Sequence, residues 1–142
     1  MTSQLNVDTI VDKAGPGGAN VKMANTSTYV SDGGNVSQNT VQALAKAWVK
    51  FTQVGTHTAA DSFNLTSLTD NGAGDSTVTI ANDLANANGP ISVTSDNGSN
   101  FNNGSMGRMT AAGTASVRCS ATTSAAGSDK AHTQAIFFGD LA

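Results

Sequence analysis

Apolar and polar residues alternate along several stretches of this chain, and the period is that of strands. From Thr114 to Thr122, Ala115, Val117 and Cys119 fall on one side, with Ser116, Arg118 and Ser120 on the other. Such alternation over a short run marks a strand with one covered face. In the stretch from Ala131 to Phe138, Ala131, Thr133, Ala135 and Phe137 oppose His132, Gln134, Ile136 and Phe138. Ile136-Phe137-Phe138 is apolar on both faces, so this strand is expected centrally or at a subunit contact. Ser62 to Leu68 turns Phe63 and Leu65 inward, and Ser76 to Ala81 does the same with Val78 and Ile80. Between them, Asp70 to Asp75 is rich in residues suited to positive φ, which predicts a hairpin. Ile91 to Thr94 reads as a short strand, and Trp48 to Thr52 as one with both faces partly covered.

The N-terminal third reads differently. Leu5, Val7, Thr9 and Val11 alternate with Asn6, Asp8 and Asp12, with Ile10 as the exception, and Gly15-Pro16-Gly17-Gly18 then breaks the chain. Short strands fit Val21 to Met23 and Thr28 to Val30, but the apolar material is too thin for a separate core. Residues 1–36 are therefore expected to form an extended attachment arm. Residues 37–46 are the one helix candidate: Ser37 or Asn39 can cap it, and Val41, Leu44 and Trp48 share a helical face. A helix of two turns is marginal alone, so it is expected to link the arm to a body over residues 47–142. The expected fold is all-β, with an antiparallel, jelly-roll-like β-sandwich as the body. Ser95 to Gly107 and Thr123 to Asp129, rich in small polar residues, read as exposed loops, where rigid β scaffolds often carry binding residues.

Composition sharpens this picture. The chain has 142 residues, a net charge of −3 and only 12% charged residues, with 38% hydrophobic residues largely supplied by Ala. Val, Ile, Leu and Phe make up just under about 20%, the level below which disorder becomes a concern, but disorder also calls for high charge. A chain poor in both is stabilised by many short strands, by burying faces against copies of itself, or by both. Every acid is Asp, and the scarcity of Glu and Lys argues against a helical protein.

The pI of about 4.9 and seven dispersed basic residues give no basic stripe for nucleic acid. No apolar run approaches the ~20 residues that span a bilayer. Met1 to Lys13 has acids and no hydrophobic core, so no signal peptide is expected there. Cys119, the single cysteine, lies in an alternating stretch and reads as a small buried hydrophobe, with an intersubunit disulfide or a reactive thiol as the alternative. His57 and His132 are in no ligand spacing. Asp61, Asp70, Asp75, Asp83 and Asp96 fall in or beside turns, where Asp is expected for backbone reasons. Asn71 to Asp75 echoes part of a calcium-binding nonapeptide but occurs once, whereas that motif works by stacking. No enzyme activity, cofactor or metal is expected.

Several segments resemble a known group. Leu5-Asn6-Val7-Asp8-Thr9-Ile10-Val11-Asp12-Lys13-Ala14-Gly15 resembles a recurring segment near the start of tail-fibre-like and virion-associated structural proteins of aquatic tailed bacteriophages. Ala45-Lys46-Ala47-Trp48-Val49-Lys50-Phe51 resembles the opening strand of a β domain at their fibre ends. Phe63 to Asp75 is similar to that domain's next strand and turn, and Ala135 to Asp140 to its closing strand. The chain departs from the pattern at Thr77 and Val78, where an aromatic is usual, and it has no long shaft.

The resemblance implies a trimer on the virion surface, made in the host bacterial cytoplasm. The expected role is a capsid decoration, knob or fibre subunit that contacts the major capsid protein or tail components. Leu5, Val7, Ile10, Val11, Val41, Leu44, Trp48 and Phe51 are the candidates for attachment and self-association. The alternative role is recognition of a host-surface glycan by an exposed loop containing Asn97, Asn100, Phe101, Asn102 and Asn103. No nucleic-acid or membrane partner is expected.

Overall fold

A computed structural model describes residues 27–30, 37–97, 104–121 and 126–142. The chain divides after Val41 into two units. In the first, β1 (Thr28–Val30) and β2 (Ser37–Asn39) pair antiparallel, with Tyr29 opposite Gln38, and the Thr40 backbone N–H and side-chain hydroxyl both donate to the Ser27 carbonyl.

The helix expected over 37–46 is not formed. Ser37–Asn39 is a strand, turns follow, and the first strand of the body begins at Ala45. The i, i+3, i+7 spacing of Val41, Leu44 and Trp48 arises by chance from a turn running into a strand: Leu44 is exposed, and Trp48 belongs to the strand. A two-turn helix has too few internal hydrogen bonds to outweigh strand pairing at both of its ends.

The second unit is a sandwich-like pair of four-stranded antiparallel sheets. One has the order β4-β3-β10-β7, with β3 Ala45–Thr52, β4 Thr58–Phe63, β7 Ile91–Asp96 and β10 His132–Phe138. The other has the order β5-β6-β9-β8, with β5 Leu65–Gly72, β6 Asp75–Ile80, β8 Ser105–Ala111 and β9 Thr114–Cys119. Three pairings are local hairpins, β3–β4, β5–β6 and β8–β9. Of the nested pairings that define a jelly roll, only first strand with last, β3 with β10, is present.

The core lies between the sheets. Ala47, Val49 and Phe51 of β3 with Ala135 and Phe137 of β10 meet Val78 and Ile80 of β6 and Ala115 and Val117 of β9. These are the inward members of the alternating stretches. Leu84, 2% exposed, adds to the core from the β6–β7 connection, where its N–H donates to the Ala112 carbonyl. At the other end the core becomes polar. Gln53, Ser76 and Thr133 are fully buried, and Gln53 donates to Ser76 and accepts from the Lys130 N–H and the Thr133 hydroxyl.

Phe63 departs from expectation. A single inward-facing strand over Ser62–Leu68 is replaced by two strands in different sheets with Asn64 between them at φ +58°. Asn tolerates this left-handed conformation better than most residues. The Asn64 carboxamide also fixes the corner, donating to the Lys46 and Asn82 carbonyls and accepting from the Asn82 N–H. The corner leaves Phe63 55% exposed.

Candidate functional site

Two surfaces of the body bring chemistry together. The first is the outer face of the β4-β3-β10-β7 sheet. Residues paired directly across an antiparallel sheet share a face. Phe63 of β4 is opposite Trp48 of β3, Trp48 is opposite Ile136 of β10, and Ile136 is opposite Ser92 of β7. The strand neighbours Ala47, Val49, Ala135 and Phe137 are buried, so Trp48 and Ile136 face outward. An apolar row of three large side chains therefore crosses the outside of the sheet, with Trp48 half-buried and Ile136 38% exposed. The adjoining row is polar: Asp61, Lys50, Gln134 and Thr94, one from each strand. Lys50 and Asp61 are both exposed, yet among the described residues the Arg or Lys ion pair with an Asp is Arg118 with Asp75, while His57 Nε2 lies 3.6 Å from the Asp70 carboxylate. The cross-strand neighbours Lys50 and Asp61 are thus not joined.

β4 touches the core only through the half-buried Ala59. It is the edge of its sheet, and five of its six residues are exposed, so both of its faces meet solvent. β5, the edge of the opposite sheet, is similarly open.

The second surface is a groove of about 540 Å³ at the polar end of the sandwich, formed by the β5–β6 turn, the start of β8 and the end of β9. Gly74 is its hinge. At φ +67° a Cβ there would strike the Cys119 carbonyl and the Ser128 nitrogen, so only glycine fits. The Gly74 N–H donates to the Asp129 carboxylate, and its carbonyl accepts from the Cys119 N–H. Arg118 and Asp75, paired at 2.8 Å, line the groove with Asn71, Ser105, Met106 and Ser120. This lining offers hydrogen-bond donors and acceptors to a hydroxylated ligand, but no aromatic ring among the described residues on which a sugar could stack.

The expected site residues are distributed as follows. Trp48 lies on the outer sheet face. Phe51 turns inward and is 1% exposed, so its ring belongs to the body's own core. Val41 is half-buried and Leu44 is 58% exposed. Asn97 is exposed, with its side-chain oxygen accepting from the Ala131 N–H at 3.3 Å. Leu5, Val7, Ile10, Val11, Asn100, Phe101, Asn102 and Asn103 lie outside the described residues. Phe63 and Ile136 complete the apolar row but were not among the expected site residues. The signal for Ile136 was present in its two-faced apolar strand, whereas Phe63 was masked by an alternation that continues across the Asn64 corner.

Both histidines are now placed. The His57 side chain is 2% exposed, with its Nε2 3.6 Å from the Asp70 carboxylate and no hydrogen bond to either ring nitrogen. His132 lies on the exposed side of β10. Among the described residues no group of three or more His, Cys, Asp or Glu is close enough to hold a metal ion.

Comparison with known proteins places the chain in no group: no protein family, no curated protein and no solved structure matches it.

Proposed function

We propose that this chain is a structural subunit of a tailed-bacteriophage particle, an oligomeric capsid decoration, knob or fibre subunit displayed on the virion surface. The observation that carries the reading is a pairing. Two segments of the phage resemblance, Ala45 to Phe51 and Ala135 to Asp140, are far apart in sequence. They lie side by side as β3 and β10, with Val49 opposite Ala135 and Trp48 opposite Ile136. The segments that look like the opening and closing strands of a fibre-end domain thus form the centre of one sheet. In this reading the chain assembles with copies of itself, as a trimer where it follows the resemblance, and residues 1–36 contact the major capsid protein or tail components.

Immunogold labelling of intact particles with an antibody to this protein tests the assignment. Gold over the head supports a decoration role, gold at the tail supports a fibre role, and unlabelled particles overturn the assignment.

The groove supports a second reading, recognition of a host-surface glycan. It is bordered by Ser105 and Gly127, which belong to the two sequence stretches expected to form binding loops. Binding of the purified protein to host cells, abolished by Arg118→Ala, is its test.

A further inference from the structure

We infer that the outer face of the β4-β3-β10-β7 sheet, centred on Trp48 and Phe63, is where a second copy of this chain packs. The inference deepens the structural-subunit reading and rests on its claim that copies assemble, but a self-complementary contact closes as a dimer and so departs from the trimer that the resemblance implies.

Three observations point to a copy of the same chain. The first is the apolar row of Phe63, Trp48 and Ile136, contiguous across three strands, with Phe63 and Ile136 exposed and Trp48 half-buried. Single exposed apolar residues are ordinary, but a contiguous row with an aromatic pair marks a contact surface. The second is the β4 edge. An edge strand offers unpaired backbone N–H and C=O groups, and soluble proteins normally blunt such edges with charge, Pro or a covering segment. β4 reads Thr-Ala-Ala-Asp-Ser-Phe, with one charge and no Pro, and is exposed on both faces. The third selects the partner. The row beside the apolar one carries one cation and one anion, Lys50 and Asp61, on neighbouring strands and not paired with each other. A surface with one of each charge is complementary to itself. Copies packed with β3 of one over β4 of the other bring Lys50 against Asp61 and Trp48 against Phe63. Charges so arranged fix register and reject the shifted arrangement that would place like charges together.

The test uses the full chain and sedimentation velocity over a dilution series, with fluorescence of the single tryptophan as a second readout. The wild-type protein is expected to be oligomeric, with Trp48 emission moving to longer wavelength as it dissociates. Phe63→Asp places a charge in the contact and is expected to weaken association by at least ~100-fold. Circular dichroism and the melting temperature confirm that the variant folds, since Phe63 is outside the core. Lys50→Asp and Asp61→Lys are each expected to weaken association, and the double exchange Lys50→Asp/Asp61→Lys to restore it, with the melting temperature of each variant separating this from like-charge repulsion within the β3–β4 pair.

An oligomer that persists unchanged in Phe63→Asp and in both single charge variants overturns this face while leaving assembly intact. A wild-type monomer also overturns it. If hydrogen exchange then shows the β4 amides protected in that monomer, the chain's own N-terminal residues cover the face instead. Particle labelling judges the virion assignment separately in every case.

Discussion

Gln53 and Ser76, one just beyond the end of β3 and the other in β6 of the opposite sheet, are both fully buried and joined by a hydrogen bond of 2.9 Å. The bond ties the two sheets at the end where the apolar core stops. The Gln53 backbone N–H and side-chain oxygen also bind the Lys130 carbonyl and N–H, so one residue fixes the approach to β10. Buried polar groups are costly to leave unpaired, more so than the bond itself is stabilising. Gln53→Leu keeps the volume but strands the hydroxyls of Ser76 and Thr133 and the Lys130 N–H, and is expected to destabilise by about 2–4 kcal/mol. Ser76→Ala strands only the carboxamide donor and is expected to lose about 1–2 kcal/mol. Urea denaturation of both singles and the double gives the coupling, expected at about 1 kcal/mol. Strict additivity would show that the bond does not hold the sheets together.

The Asn64 corner predicts a graded series. The residue supplies a left-handed backbone and a carboxamide that reaches Lys46 and Asn82. Asn64→Gly keeps the backbone and loses the carboxamide, whereas Asn64→Ala loses both. A non-glycine residue without a compensating side chain in this conformation costs about 1–2 kcal/mol. Asn64→Ala is therefore expected to melt lowest, with Asn64→Gly between it and the wild type. Equal melting temperatures for the two variants would mean that backbone strain is not what Asn64 relieves.

Much of the body was legible in the sequence because its central strands obey the simplest pattern. β6, β9 and β10 are covered on one face only, so Val78 and Ile80, Ala115 and Val117, and Ala135 and Phe137 alternate with polar residues. The β5–β6 hairpin carried its turn residues in the open. The edges were harder to read. β4 and β5 are exposed on both faces, so burial imposes no alternation on them. The start of β8 was absorbed into a predicted loop because its first two inward positions, Ser105 and Gly107, carry no apolar side chain to mark a face. The expected helix failed because strand pairing over Ser37 to Asn39 and from Ala45 onward outweighed local propensity. Within the candidate sites, Trp48 was legible as an unusual residue in a strand, but its alignment with Phe63 depends on a pairing register that no local signal specifies.

Gly107 is also a packing prediction. A Cβ at this position would lie 2.6 Å from the nearest Val93 methyl and 2.9 Å from an Ile91 methyl, both on β7 in the facing sheet. The two sheets approach here as closely as they do because this position carries only hydrogen. Gly107→Ala is expected to destabilise by about 1–3 kcal/mol through overpacking. Val93→Ala creates a void alone, but in the Gly107→Ala background it removes the closer of the two clashes and leaves the Ile91 methyl. The double variant is expected to be more stable than the two single losses predict, by urea denaturation. A tolerated Gly107→Ala would mean that the sheets can separate there at little cost.

Cys119 tests how firmly the groove end of the sandwich is closed. Its thiol is 2% exposed, its nearest polar neighbour is the buried Thr133 hydroxyl at 4.0 Å, and β9 is held between β6 and β8. The backbone around it is pinned to Gly74 and Ser128. A thiol so placed reacts only when its strand opens, so its rate reports local opening. Labelling with a chromogenic disulfide reagent is expected to be at least ~100-fold slower in the native protein than in urea. Non-reducing electrophoresis of the native protein is expected to show no disulfide-linked dimer, because two copies cannot bring buried thiols together. Fast native labelling would place the opening of β9 at the groove, and the groove would then be a site that forms and closes. Slow labelling at a rate that follows global unfolding would make this end part of the rigid body, and a groove ligand would have to fit the shape already present.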